Sequence, residues 1–489
     1  MSVRLCAANL PDIAGKAAVP SYDRSGLRAG IVHFGIGNFH RAHQAVYLDA
    51  LFEMGEGHDF AILGAGVMPS DQAMRDRLAG QDYLTTVVEQ DNASTSARVT
   101  GAMIDMLPVG DMPAIVETLA DPAIRIVSLT VTEGGYFIDA STDGFDAAHP
   151  DIAHDAAHPD APRTVFGMML AALRDRQTAG VAPFTVMSCD NLPENGHVAA
   201  RALVGLAGLS DPALAGWIAQ NVAFPNGMVD CITPATSDRE RALVADRFGL
   251  TDAAPVACEP FRQWVLEDRF PTGRPALEEV GVAFVQNVAD YELMKLRILN
   301  GGHAAIAYAG ALLGHDLVHD AMADGRIARW LDRLTRDEII PTLRPIPGVS
   351  FDAYRARTAE RFANPQVGDT IPRLCLDGSN RQPKFILPTL RQALAEGRAF
   401  RGLALEVALW CRYCEGTTEA GAPIAPNDDN AADLRARALA ARDDAGAFLS
   451  HTRVFGDLGM NARFAAAFAA QLAAIRDRGV AAALAAYAA

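Results

Sequence analysis

An α/β fold is predicted: a mostly parallel sheet with helices on both faces, followed by a mainly α-helical domain. Three features of the sequence predict it. Short apolar runs alternate with helical patterns over the first part of the chain, as strands joined by crossover helices do. A glycine turn separates the first strong strand from the first helix. Beyond about Asp290 the strand signals give way to helical spacing, and the last stretches are rich in Ala, the best helix former.

Residues 30–34 (GIVHF) read as the first strand, with Gly35-Ile36-Gly37 directly after it and a helical pattern over 39–53. A second apolar run, 60–63, ends in Gly64-Ala65-Gly66. Further strands are expected at 98–100, 124–130 and 184–188, and helices at 112–120, 164–178 and 196–209. The stretch 139–162, rich in Asp, His, Pro and Ala, reads as a surface loop. Helices then cover 291–313, 326–337, 389–395, 404–412, 431–447 and 462–488. The division is expected near residue 287, giving domains of 1–287 and 288–489.

A chain of 489 residues with 50% hydrophobic content can bury two sizeable cores. A net charge of −16 repels a phosphate backbone, so no nucleic-acid partner is expected. No apolar run is long enough to span a bilayer and no secretory h-region opens the chain, so no membrane partner is expected either. Seven scattered cysteines, an odd count without framework spacing, fit a reducing cytoplasm. Cys411 and Cys414 form a CxxC in ALWCRYCEG, which invites a redox or zinc reading. With no second pair nearby and an apolar helical context, packing in a core is the favoured one. The 12 histidines include no HExxH and no paired Cys/His set, so no metal is expected.

Gly35-Ile36-Gly37-Asn38-Phe39-His40 follows a strand and opens a helix, the context that a dinucleotide fingerprint requires. Gly35 permits the tight turn, and Gly37 lets the backbone approach a pyrophosphate at the positive end of the helix. His40 replaces the third glycine of the pattern. Asp71 is the candidate ribose-binding acid, although it lies further from Gly35 than the usual ~20 residues; a helix-start acid is the alternative. No Arg or Lys occurs between Gly64 and Ala73 to hold a 2′-phosphate, which favours NAD over NADP.

The segment 291–303, YELMKLRILNGGH, is the richest in chemistry. On an α-helix at ~100° per residue, Asn300 lies about 140° and His303 about 80° from Lys295, so the three share one arc. A lysine among Met294, Leu296, Ile298 and Leu299 is a candidate for burial, which favours the neutral amine that a base needs; a snorkelling surface lysine is the alternative. A second polar cluster, 188–197, follows a strand where a doubly wound sheet places ligands. There the Asn191 amide could donate to an alcohol oxygen as it gains charge, or cap the next helix.

Together these segments resemble the polyol-specific long-chain dehydrogenases, the mannitol dehydrogenase family. The resemblance rests on IVHFGIGNFHRAHQAVYLDAL (31–51), IVSLTVTEGGY (126–136), FTVMSCDNLPENGHV (184–198), FPNGMVDCITPAT (224–236), CEPFRQWVLEDRF (258–270) and YELMKLRILNGGH (291–303). It implies a Rossmann-type N-terminal domain and a mainly helical C-terminal domain. It implies NAD-dependent oxidation of a sugar alcohol such as D-mannitol at C2 to its 2-ketose, without a metal. Lys295 would be the base, Asn191 and Asn300 the amides on the reacting oxygen, and His303 and Asp230 substrate contacts. RLCLDGSNRQPKF would supply cationic contacts from Arg373 and Lys384, with Arg381 where close relatives carry lysine. Ser70 stands where relatives often carry an acid before Asp71. The gathered expectation is a cytoplasmic enzyme, monomer or small homo-oligomer, with a polyol and its ketose as small-molecule partners. Its rivals are a fructuronate or tagaturonate reductase, an arabinitol or sorbitol dehydrogenase, and a non-catalytic nucleotide-binding sensor.

Overall fold

The run around GIVHF forms the central strand β1, Ala29–Phe34, of a five-stranded parallel sheet. Its companions are β2 (Ala61–Ala65), β3 (Met103–Met106), β4 (Ile126–Leu129) and β5 (Thr185–Ser188), in the order β5-β4-β1-β2-β3. Both faces are covered, so the strands read as continuous apolar runs rather than as alternation. Val32, Val127 and Val186 face one core with Phe166, Leu170 and Leu203. The residues beside them, Ile31, Ile126 and Met187, face the other with Leu48, Leu51 and Trp264. The order reverses at β1, whose chain continues to β2 while β4 returns on its other side. A ligand crevice opens at such a point, beyond the strand C-termini.

The computed structural model describes residues 2–139, 142 and 144–489. The chain divides into two units, Met1–Ala289 and Asp290–Ala489.

Several local expectations needed correction. Residues 98–100 belong to Thr95–Thr100, which pairs antiparallel with Thr85–Gln90 in a separate sheet completed by Val256–Cys258. The missed sheet strand is β3, whose sequence MIDM is short and carries Asp105 on an edge. The helical pattern 39–53 is two helices, Asn38–Ala42 and Gln44–Glu53, because His43 leaves helical geometry at φ −119°, ψ −87°. The stretch 139–162 contains a helix, Pro150–Ala157, started by Pro150 after a His149 cap and anchored by the fully buried Ile152. Residues 140, 141 and 143 of that stretch lie outside the described ones.

The second unit is built from helices around two buried ones, Gly301–Leu313 and Arg401–Cys414. Cys411 and Cys414 are both buried as free thiols in the latter. The N-terminus of that helix is capped from another element: the carboxylate of buried Glu338 accepts from Gly402 N (2.7 Å), Leu403 N (2.9 Å) and the Tyr487 hydroxyl (2.9 Å). The Ala-rich end is two helices, Ala462–Arg478 and Val480–Ala488, broken at Gly479 with φ +85°. No single helix among the described residues is long and apolar enough to cross a membrane.

Candidate active site

In the first unit, the glycine turn sits at the C-terminal end of β1. Gly35 has φ +96°, and a Cβ there would lie 2.0 Å from the Thr130 carbonyl oxygen. Only glycine meets both demands. Gly37 is exposed, and a Cβ on it would meet nothing closer than the Gly35 carbonyl at 4.0 Å. Open space over an exposed backbone is the cradle that a pyrophosphate needs. The side chain of buried Ile36 anchors the turn from below. Asn38 spends its amide inside the protein, donating to Pro234 O and Thr236 Oγ1 (both 2.9 Å) and accepting from Arg41 Nη2 (2.8 Å). Phe39 stacks on His43 at 4.8 Å between centroids. What Asn38 and Phe39 offer a ligand is therefore their backbone N–H groups in the first helical turn, which no helical carbonyl reaches.

His40, at the third fingerprint position, is buried and stacks on His33 of β1 at 3.6 Å. Burial pushes His33 down to about 3 and His40 well below its ordinary value, so both rings are neutral. A neutral ring has one donor and one acceptor nitrogen, and both rings sit in one hydrogen-bond network. His40 Nδ1 donates to Gln44 Oε1 (3.1 Å), Gln44 Nε2 donates to Ser128 Oγ (3.1 Å), Ser128 Oγ donates to Gln44 Oε1 (3.2 Å), and Ser128 Oγ lies 2.7 Å from His33 Nδ1. His33 Nε2 lies 2.9 Å from Thr130 Oγ1 and 3.1 Å from the Gly35 carbonyl, to which Thr130 Oγ1 donates (2.6 Å). Where the usual fingerprint packs its helix closely on a glycine, this chain uses a stacked histidine pair and a network that ends on the turn itself. The sequence reading noted His40 only as a departure and missed His33, Gln44 and Ser128, because nothing in their spacing ties them together.

Asp71 begins the helix Asp71–Ala79, just past β2. Its Oδ2 accepts from Met68 N at 3.0 Å, so it closes the preceding turn, while Oδ1 makes no hydrogen bond among the described residues. The long separation from Gly35 is filled by the two helices before β2.

Asp190 ties the ends of β4 and β5 together. It accepts from Val131 N (2.9 Å), Thr132 N (3.0 Å) and the Tyr136 hydroxyl (2.7 Å). Burial raises its pKa, and these donors oppose the rise. Thr132, β-branched yet at φ +63°, is held in strained backbone by this clamp. On the other side Asn195 donates to Ser188 O, Asp190 O and Gly227 O and accepts from Gly227 N (2.9 Å). Exposed Asn191 lies on the loop pinned from both sides. Asp230 is the buried last residue of the strand Gly227–Asp230. Topology thus gathers the glycine turn, Asp71 and Asn191 at the C-terminal ends of β1, β2 and β5.

In the second unit the expected helix 291–313 is interrupted. Ala289–Lys295 runs into a π turn, Leu296–Asn300, before Gly301–Leu313 resumes. The angles predicted for an uninterrupted α-helix therefore do not hold. An i→i+5 turn brings residues five apart nearly one turn apart, so Lys295 and Asn300 share a face more closely than ~140° allows. Lys295 is 8% exposed, flanked by buried Met294, Ile298 and Leu299. His303 stacks on Phe362 at 4.1 Å, which fixes its ring plane.

The three cations differ. Arg373 forms a two-point ion pair with Asp369 through Nε and Nη2, so its charge is already matched. Arg381 Nη1 donates to Leu374 O (3.0 Å) and Arg373 O (3.3 Å), which places it beside Arg373. Lys384 is exposed in the last turn of Gly378–Phe385. Among the described residues, no group of three His, Cys, Asp or Glu side chains is placed to hold a metal ion.

A parallel sheet in this order, with a glycine turn at the switch point and an acid past the next strand, is a Rossmann-type domain, the dinucleotide-binding class of α/β fold. The profile of the mannitol dehydrogenase Rossmann domain matches residues 29–279, and that of the mannitol dehydrogenase C-terminal domain matches residues 287–476. A mannitol 2-dehydrogenase of Cereibacter sphaeroides is 59% identical over 457 residues, 93% of this chain and 95% of that protein. The ternary complex of Pseudomonas fluorescens mannitol 2-dehydrogenase with NAD and D-mannitol is 43% identical, with a TM-score of 0.85 over 99% of each chain. A D-sorbitol dehydrogenase in substrate-free form is 36% identical, with a TM-score of 0.92 over 98% of this chain and 100% of that one. The chain belongs to the mannitol dehydrogenase family.

Proposed function

We propose that this chain is an NAD-dependent mannitol 2-dehydrogenase that interconverts D-mannitol and D-fructose, with a lysine base and no metal. Within the family, the observation that carries the reading is Lys295: a lysine at 8% exposure, set against a π turn that ends in Asn300. NAD, when bound, would supply the acceptor for the C2 hydride. Neutral Lys295 takes the proton from the C2 hydroxyl. Asn191 and Asn300 donate N–H groups to that oxygen as its charge grows, Asn191 from a loop held by Asp190 and Asn195. In reverse, Lys295 as ammonium returns the proton to the ketose oxygen. His303, its ring held on Phe362, and Asp230 bind the remaining hydroxyls. Gly35, Gly37 and the first-turn N–H groups of Asn38 and Phe39 hold the pyrophosphate. Asp71 takes the ribose hydroxyls through Oδ1.

The Arg373–Asp369 pair favours a neutral polyol over a uronate, because a substrate carboxylate would have to displace Asp369. The likeness to a D-sorbitol dehydrogenase keeps D-sorbitol as the second substrate to test.

The test follows cofactor absorbance with purified protein, NAD or NADP, and D-mannitol, D-sorbitol and arabinitol, with fructose and fructuronate in reverse. The expected result is NAD reduction fastest with D-mannitol and unchanged by chelator. Lys295→Ala should lower kcat by about 10³-fold with little change in cofactor affinity. Near-normal turnover by that variant, or activity only with fructuronate, would overturn the assignment.

A further inference from the structure

Arg297 lies within the π turn, two residues after Lys295, and is 7% exposed. Its Nη1 donates to Thr342 O (3.0 Å) and Thr342 Oγ1 (2.7 Å). Its Nε is buried and has no partner, and no carboxylate pairs with it among the described residues. Buried charges are ordinarily paired or fully hydrogen-bonded. Arg176 of the first unit is the contrast, donating to the carbonyls of Leu119, Asp121, Ile124 and Ala182. Arg297 has no such shell.

Arg297 also lines a groove of about 350 Å³, within the size range of small-molecule sites. Arg391 and Gln392 add polar groups, and Pro383, Leu387 and Val454 add an apolar wall. Arg391 gives one N–H, from Nη1, to Asp457 and is half exposed, so Nε and Nη2 remain for another acceptor. Glu396, whose field Arg297 feels, is itself bonded by Arg398 and Gln392. Three arginines (297, 391, 398) against two carboxylates (396, 457) leave one positive charge in excess. A buried cation without a carboxylate, a second arginine with open donors and an apolar wall suit one class of ligand.

We propose that this groove is a binding site for a small organic oxyanion, whose charged end meets Arg297 and Arg391 and whose carbon body lies on Pro383, Leu387 and Val454. A planar fork of N–H donors at each arginine fits a carboxylate or a phosphate ester equally, and two such contacts fix its orientation.

The test is calorimetric titration of the full chain with glycerol 3-phosphate, with butyrate and with inorganic phosphate. Saturable binding of one of the two organic anions, tighter than that of inorganic phosphate, is expected, and which one binds identifies the charged end. Arg391→Gln should weaken it about tenfold. Arg297→Met should abolish it; should that variant fail to fold, Arg391→Gln decides alone. Phosphate captured at the glycine turn would not respond to Arg391→Gln. Absence of saturable binding by both organic anions, or binding unchanged in Arg391→Gln, overturns the proposal.

Discussion

The two units place their functional groups by opposite departures from regular backbone. In the first, the chain is tightened: Gly35 at φ +96° presses against Thr130 so closely that no side chain fits. In the second, it is loosened: a π turn at Leu296–Asn300 puts an extra residue into a helix and re-aims Lys295 and Asn300. A tight turn leaves a mark in the sequence because only one residue type tolerates it. A widened turn leaves none, since every residue in LRILN is at home in an α-helix.

The largest expected effect tests the widened turn. If the π geometry puts the Asn300 amide on the reacting oxygen, Asn300→Ala should lower kcat by about 10²–10³-fold, equivalent to about 3–4 kcal/mol, with the KM for NAD nearly unchanged. A loss confined to KM for the polyol would reduce Asn300 to ordinary substrate binding. The tight turn should respond differently. Gly35→Ala forces a positive φ on a Cβ with nowhere to go, so both melting temperature and NAD affinity should fall. Strain and overpacking together cost about 3 kcal/mol. Gly37→Ala, with open space around it, should weaken NAD binding and leave the melting temperature close to that of the parent chain. Equal melting losses in the two variants would break the distinction between a glycine kept for the fold and one kept for the ligand.

The same contrast explains what could be read beforehand. Alternating apolar runs betray a sheet buried on both faces, so β1, β2, β4 and β5 and the Rossmann class were legible, as was the glycine turn. β3 was hidden by the polar Asp105 on a short edge, and the break at His43 has no Gly or Pro to announce it. Within the site, Lys295, Asn300 and His303 stand in one short segment and catch the eye together. Asp190 and Asn195, which hold the Asn191 loop, act through carbonyls and N–H groups far apart in sequence. The Ser128 link between His33 and Gln44, likewise, exists only once β1 and β4 lie side by side. The side chains proposed to meet the substrate cluster in motifs, whereas those that hold them in place are scattered by the fold.

A different effect separates the units by pH. The first unit buries neutral His33 with its pKa held to about 3 against an ordinary 6.5. Between those values the unfolded chain takes a proton that the folded one refuses. Stability is therefore complete above pH 6.5 and falls as pH drops toward 3, by about 1.4 kcal/mol per unit for this group. The second unit buries Glu406, hydrogen-bonded by Gln382 Nε2 at 2.6 Å and pushed up to about 8. Here the folded chain keeps a proton that the unfolded one loses, so stability is complete below pH 4.5 and falls as pH rises toward 8. In thermal unfolding followed from pH 4 to 9, His33→Asn should make the acid limb shallower, with buried His40 supplying what remains, and Glu406→Gln should flatten the alkaline limb. Either variant flattening the wrong limb, or neither, would show that these groups are not held neutral.

The smallest effect concerns the one motif that both units' chemistry passes over. Cys411 and Cys414 are fully buried in Arg401–Cys414, and burial raises both thiols away from the reactive thiolate form. A CxxC with a redox or metal role needs exposure and a lowered pKa, the reverse of what these side chains experience. Cys411→Ala should therefore cost about 1 kcal/mol of stability, from the small cavity it leaves, and leave kcat and KM at parental values. A loss of turnover larger than the loss of folded protein would tie this helix to the chemistry. Unchanged kinetics would instead place the thiols with Glu338, which caps the same helix: groups that hold the frame in which the π turn is mounted.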